Sequence, residues 1–148
     1  MITKVSNEDV FNTPHNHIAF AINTEGFNED GFVGKIFVKG YTDLFLNTGK
    51  KEMGDVISIK IREKTFHGLV CYSLKHGWDN SPQVITSCLE KIETDEPIAV
   101  VLMGATMFRQ VYEGFDIVAN TKAIHNANKN VILYNRDYSE KAVFNAIK

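Results

Sequence analysis

Ile98–Met103, IAVVLM, is the most apolar run in the chain and constrains its fold more than any other stretch. Six consecutive apolar residues leave no polar face for water, so a strand here is buried on both sides. Gly104 ends it. A strand covered on both faces is central in its sheet and predicts helical layers around it.

The rest of the chain supplies those layers. Ile2–Val5 reads as a first strand, followed by Asn7–Asp9, Val10–Phe11 and the turn chemistry of Asn12-Thr13-Pro14. Ile18–Ile22 is a short apolar second strand. A helix is expected from about Gly31 to Lys39, with Tyr41–Leu46 continuing it or packing beside it and Asn47-Thr48-Gly49 stopping it. Val56, Ile57, Ile59 and Ile61 form a third strand whose Ser58 and Lys60 leave one face open to solvent. Glu63-Lys64 reads as a turn and Leu69–Leu74 as a fourth strand. Ser81-Pro82 is a strong helix start, Ser as N-cap and Pro at the first helical position. Ile85, Cys88, Leu89 and Ile92 then make an apolar stripe at helical spacing. Helical spacing returns through Val111, Phe115, Val118 and Ile124. Asn130–Tyr134 is a last strand, and Ser139 is positioned to cap a short helix that buries Val143 and Ile147. Interleaved strands and helices predict an α/β domain with a mixed or largely parallel sheet.

At 148 residues the chain suits one domain with a real core. Its core is expected to run to about residue 135, with 136–148 as a C-terminal helical extension. A formal net charge of −2 gives no global pull toward nucleic acid or an anionic membrane, so a charged ligand needs local groups to hold it. Cys71 and Cys88 lie in apolar surroundings and read as buried reduced thiols of a cytoplasmic protein. The N-terminus is polar and no apolar run approaches the ~20 residues of a membrane span, so neither a signal peptide nor a span is expected.

In sheets of this class ligands bind at the carboxyl ends of the strands. Three loops are expected there: Asn23–Asp30, Ser73–Asn80 and Gly104–Arg109. The stretch Ile18–Val33, IAFAINTEGFNEDGFV, runs from a strand through a glycine-bearing loop into a helix start, where backbone N–H groups can face an anion.

Five motifs, in order and at matching spacing, resemble a macro domain, the ADP-ribose-binding αβα module. They are Asp9-Val10-Phe11; Asn23-Thr24-Glu25-Gly26 with Gly31-Phe32-Val33; Gly54-Asp55-Val56; Ser73-Leu74-Lys75-His76-Gly77-Trp78; and Met103-Gly104-Ala105. The fourth is similar to the Pro-Thr-Lys-x-x-Trp loop of the lysine-dependent branch. That branch includes terminal ADP-ribose protein glycohydrolase and the bacterial antitoxin that strips ADP-ribose from DNA. The resemblance implies a three-layer αβα fold with a mixed central sheet, and a hydrolase that releases ADP-ribose from modified nucleic acid or protein without metal or cofactor. It also implies roles. Asp9 accepts from the adenine amino group, Val10 supplies a backbone contact, and Tyr134 flanks the adenine. Ile22, Gly26, Gly31, Phe32, Val33 and Ser73 lie along the ligand, and Asn23 sits against the distal ribose. Gly104, Ala105, Thr106, Met107 and Phe108 close over the pyrophosphate. Lys75, as a neutral amine, attacks the anomeric carbon, which requires a lowered pKa.

The chain departs from the pattern in two places. No carboxylate stands from Gly104 to Gln110, where the lysine branch carries an Asp, and Thr106 replaces a glycine. Glu29 and Asp30 replace residues that are normally Gly and small or basic; either they weaken ADP-ribose binding or one supplies the missing acid/base. Two other functions therefore stand beside the glycohydrolase: a reader of ADP-ribose without turnover, and a phosphatase acting on its phosphate monoester.

Plainer roles exist for the same residues. Lys75 alone would be a solvated lysine, Asp9 a turn brace, Asn23 a partner for loop backbone, and Trp78 a packing anchor. His15 and His17 form a His-x-His pair with no acidic or Cys partner at ligand spacing, so no metal site is expected. His67 and His125 read as structural or exposed. His76, beside Lys75, would depress its pKa when cationic.

Overall fold

The computed structural model describes residues 1–24, 51–73, 80–102, 117–135, 143–145 and 147. Strands β1 (Ile2–Ser6), β2 (His17–Asn23), β3 (Val56–Ile61), β4 (Lys64–Tyr72), β5 (Ile98–Val101) and β6 (Val131–Tyr134) form one sheet in the order β1-β6-β5-β2-β4-β3. All neighbouring pairs are parallel except β3 with β4. Helices α1 (Ser81–Glu90) and α2 (Ile117–Asn126) follow β4 and β5. The helix expected at 31–39, its continuation at 41–46, the stop at 47–49 and the Ser139 cap lie outside the described residues.

The IAVVLM run behaves as its composition demands. β5 is interior, between β6 and β2, and Ile98, Ala99 and Val100 are fully buried. Alternation along the strands feeds two apolar clusters, one on each face. One gathers Ala19, Leu69, Ile98, Val100 and Leu133 under Ile85, Cys88 and Leu89 of α1 and Ala123 and Ile124 of α2. Val143 is buried in this cluster, and Ile147 packs against it. The other gathers Ile18, Phe20, Ile22, Phe66, Val70, Ala99 and Tyr134 with Val10. Thr86 of α1 donates its hydroxyl to the Ala123 carbonyl of α2 at 2.6 Å, fixing the two helices side by side. The fold is the three-layer α/β arrangement with a mixed sheet.

Three local expectations are corrected. β4 begins at Lys64, five residues before Leu69. The polar residues at its start are strand residues because each meets a cross-strand neighbour, His67 opposite Ser58 and Thr65 opposite Lys60. The hairpin turn is therefore Arg62-Glu63, one residue earlier than expected, with Arg62 at φ +59°. Ser81 is not the N-cap of α1. Asn80 holds that position without a side-chain bond, and the Ser81 hydroxyl donates to the Cys71 carbonyl.

That carbonyl is free for a reason. Ile22 pairs with Val70 and Asn23 with Tyr72, so Cys71 is a surplus residue and the ladder carries a β-bulge. The bulge breaks alternation, and Cys71 and Tyr72 both join the helix-side cluster. Both cysteines are buried and free. Burial pushes the Cys71 thiol well up and that of Cys88 to about 11, so neither is reactive near neutrality. Among the described residues, no helix is long and apolar enough to cross a membrane.

Candidate functional site at the carboxyl edge of the sheet

Five parallel strands end on one edge. Ser6 of β1 pairs with Tyr134 of β6, which pairs with Val101 of β5. On the far side of β5, Asn23 ends β2 beside Tyr72 of β4. Backbone bonds tie the chain down just past this edge: Asn135 N–H to Ser6 O at 2.8 Å, Leu102 N–H to Tyr134 O at 3.1 Å, and Thr24 N–H to Tyr72 O at 3.1 Å. Lys51 N–H donates to Thr24 O at 2.6 Å, so the chain returns to the edge beside the point where it left.

The described members of the expected site all belong to this edge. Asp9 follows β1 and caps the 3-10 turn Val10–Asn12, its Oδ1 accepting from Phe11 N–H at 3.0 Å. A carboxylate has further lone pairs, so this bond leaves acceptor capacity. Val10 is buried and anchors the turn on the sheet. Tyr134 is 7% exposed, and its hydroxyl donates to Thr13 Oγ1 at 2.7 Å. That bond holds the Asp9–Thr13 segment onto the end of β6. Lys64 braces the same segment from below, its ammonium donating to the carbonyls of Thr13 at 2.7 Å and His15 at 2.8 Å. Ile22, Asn23 and Ser73 lie across the edge at the bulge, all three buried. The bulge is where a regular ladder gives way and side chains are re-aimed. Gly26, Gly31, Phe32, Val33, Lys75, Gly104, Ala105, Thr106, Met107 and Phe108 lie outside the described residues, as do Glu29, Asp30, His76 and Trp78.

Sequence reading named neither Thr13 nor Asn135 at this edge. Both are buried polar residues there, at 4% and 0% exposure. Pro14 after Thr13 signalled a turn, but nothing in the sequence signalled the Tyr134 bond across 121 residues. His17 pairs with His67 rather than His15, and His125 Nδ1 accepts from Ile2 N–H at 3.1 Å. Among the described residues no three His, Cys, Asp or Glu side chains converge as a metal site would require.

No protein-family model matches the chain, and no curated protein matches it in sequence. Solved structures do match in shape. Alphavirus P23pro-zbd superposes with a TM-score of 0.73 at 14% identity, over 97% of this chain and 23% of that one. The Oceanobacillus iheyensis macrodomain with MES bound gives 0.64 at 15% identity, over 97% of this chain and 85% of that one. A tomato leucine aminopeptidase mutant gives 0.60 at 9% identity, over 99% of this chain and 34% of that one. This chain therefore spans about a quarter of the alphavirus chain and a third of the aminopeptidase, but most of the macrodomain. Its fold is that of a macro domain.

Proposed function

We propose that this macro domain binds ADP-ribose along the carboxyl edge and hydrolyses it from ADP-ribosylated nucleic acid or protein, with Lys75 as nucleophile, as in the lysine-dependent branch. One observation carries the reading: Asp9, Val10, Ile22, Asn23, Ser73 and Tyr134, which the resemblance names from separate parts of the chain, all belong to one edge of a sheet with this fold. Fold alone would not select an activity, and the aminopeptidase likeness makes the point.

Asp9 would take the adenine amino group on the carboxylate lone pairs left over by its cap. The Tyr134–Thr13 bond would hold Asp9 and Val10 still. Asn23 and Ser73 would meet the distal ribose beyond the bulge. The Lys75 amine would form a bond to the anomeric carbon as the bond to the carrier breaks, and water would then release ADP-ribose and restore the amine. One observation favours a second reading, a binding module without turnover: no carboxylate stands from Gly104 to Gln110 to protonate the leaving group.

The test is release of ADP-ribose from DNA modified on a base and from protein modified on acidic side chains, with the phosphate monoester alongside. Wild type and Lys75→Ala are compared, and calorimetry follows binding. Release from one class, lost in Lys75→Ala while binding persists, supports the glycohydrolase. Binding without release from any substrate supports the module. Phosphate release from the monoester alone supports a phosphatase, and absence of ADP-ribose binding overturns all three.

A further inference from the structure

A polar row crosses the sheet away from the carboxyl edge, on the face that carries α1 and α2. It steps through neighbouring strands in order: Ser58 on β3, His67 on β4, His17 on β2, and Glu96 just before β5. Register sets its spacing. Ser58 is directly opposite His67, and His17 stands one side-chain repeat from Ala19, the partner of His67. Ser58 Oγ lies 2.6 Å from His67 Nδ1, His67 Nε2 lies 2.9 Å from His17 Nδ1, and His17 Nε2 lies 3.3 Å from Glu96 Oε2. The ring planes differ by 16° with centroids 5.2 Å apart, so the imidazoles meet edge to edge through one hydrogen bond. Their facing nitrogens aim at each other and do not converge on a third point, which is hydrogen-bond geometry and not metal ligation.

Chemistry gives the row a direction. A carboxylate only accepts, so His17 carries its proton on Nε2 and donates to Glu96. His17 Nδ1 is then an acceptor, and His67 donates to it from Nε2. His67 Nδ1 is left as an acceptor for the Ser58 hydroxyl. Asn16 Nδ2 donates to the other oxygen of Glu96 at 3.0 Å and fixes the carboxylate. His67 is 5% exposed, whereas Ser58 is exposed to solvent. A serine hydroxyl open to solvent, bonded to a buried imidazole whose other nitrogen is bound in turn, meets the geometric requirement for an activated nucleophile.

We propose that Ser58 is a base-activated serine that accepts an acyl group from activated esters, with His67 as general base and with His17 and Glu96 as positioning residues. In the step, Ser58 Oγ bonds to the ester carbonyl carbon and its proton passes to His67 Nδ1. The carbon–alkoxide bond then breaks, and the leaving alkoxide takes that proton from His67. Acyl-Ser58 and an alcohol result. Burial and neighbouring His17 hold the His67 pKa at about 4, so the ring is neutral across the neutral range, with its Nδ1 lone pair available to the serine hydroxyl, and acts as a weak base.

The test uses p-nitrophenyl acetate on the full chain at pH 7.5, with peptide mass mapping and hydroxylamine to separate serine esters from lysine amides. Ser87 is the internal reference, an exposed serine whose hydroxyl donates to the Val84 carbonyl and, among the described residues, has no imidazole or carboxylate bonded to it. General-base assistance is worth roughly 10²–10⁴-fold. Ser58 acetylation at least tenfold faster than Ser87 is expected, and a smaller ratio overturns the proposal. Glu96 is exposed, so Glu96→Gln should fold. It is expected to slow Ser58 acetylation at least threefold and to move the pH midpoint of the rate downward, at an unchanged melting temperature. A rate and midpoint that do not move overturn the roles of His17 and Glu96. His67→Gln is expected to bring the Ser58 rate down to that of Ser87, and a folded variant that keeps the wild-type ratio overturns His67 as base.

Discussion

Acid should destabilise this domain through His67. The ring is buried between β2 and β3, and desolvation, with His17 alongside, lowers its pKa from 6.5 to about 4. Below pH 6.5 the unfolded chain binds a proton that the folded chain refuses until about pH 4. The stability conferred by the neutral ring is therefore complete above pH 6.5, falls as pH drops from 6.5 to 4, and is gone below. The gap between the two values corresponds to about 3 kcal/mol, and by pH 5 about 2 kcal/mol of it is already lost. Urea unfolding followed by far-ultraviolet circular dichroism, at pH 8, 7, 6 and 5, reads this directly. Carboxylates titrate in every variant, so the quantity of interest is wild type minus His67→Gln, whose side chain does not titrate. Wild type should lose about 2 kcal/mol more than His67→Gln between pH 7 and pH 5. Parallel pH profiles for the two proteins would refute the linkage to His67.

Other perturbations have simpler expectations. Leu89→Ala removes a fully buried side chain from the helix-side cluster and should cost about 2–5 kcal/mol in urea unfolding. Arg62 occupies a left-handed backbone conformation at φ +59°, so Arg62→Gly should raise stability by up to ~1 kcal/mol, and a lowered melting temperature would count against it. Asn120 on α2 is 1% exposed, and among the described residues neither polar atom of its side chain finds a partner. Asn120→Leu, which keeps the branching and heavy-atom count of the side chain, should stabilise by about 1–3 kcal/mol, the usual penalty for an unsatisfied buried group.

Much of the fold was legible because burial on two faces leaves a direct trace in sequence. IAVVLM had to be interior, and its strand is. Ser58 and Lys60 alternate with isoleucines, and both are exposed. Legibility failed where polar residues have polar partners far away in the chain. The start of β4 was missed, Glu63-Lys64 reading as a turn and the strand as beginning at Leu69, because Lys64, Thr65 and His67 look like surface, whereas the strand order brings Ser58 and His17 beside His67. His17 and His67 are 50 residues apart, and only the adjacency of β2 and β4 joins them. Ser81 before Pro82 had the chemistry of a cap, but a carbonyl released by the bulge competed for its hydroxyl and won. Asp9, Asn23 and Ser73 were legible as strand-end positions because strand ends carry recognisable punctuation. The anchoring of Thr13 by Tyr134 and Lys64 was not, since it joins side chains to a segment far from them in the sequence.

The bulge at Cys71 also preserves parity. Side chains alternate along a strand, and a surplus residue taken up in a bulge leaves everything after it on its own side. Deleting Cys71 would restore an unbroken ladder between β2 and β4 and improve their pairing. Tyr72 would stay opposite Asn23 and on the helix side, as plain alternation after Val70 requires, so the deletion would remove only the buried Cys71 side chain and the carbonyl that accepts from Ser81. A gain in local regularity would thus cost a buried core side chain and the acceptor that ties the start of α1 to the sheet, and the surplus residue is what lets one strand supply both without shifting its neighbours.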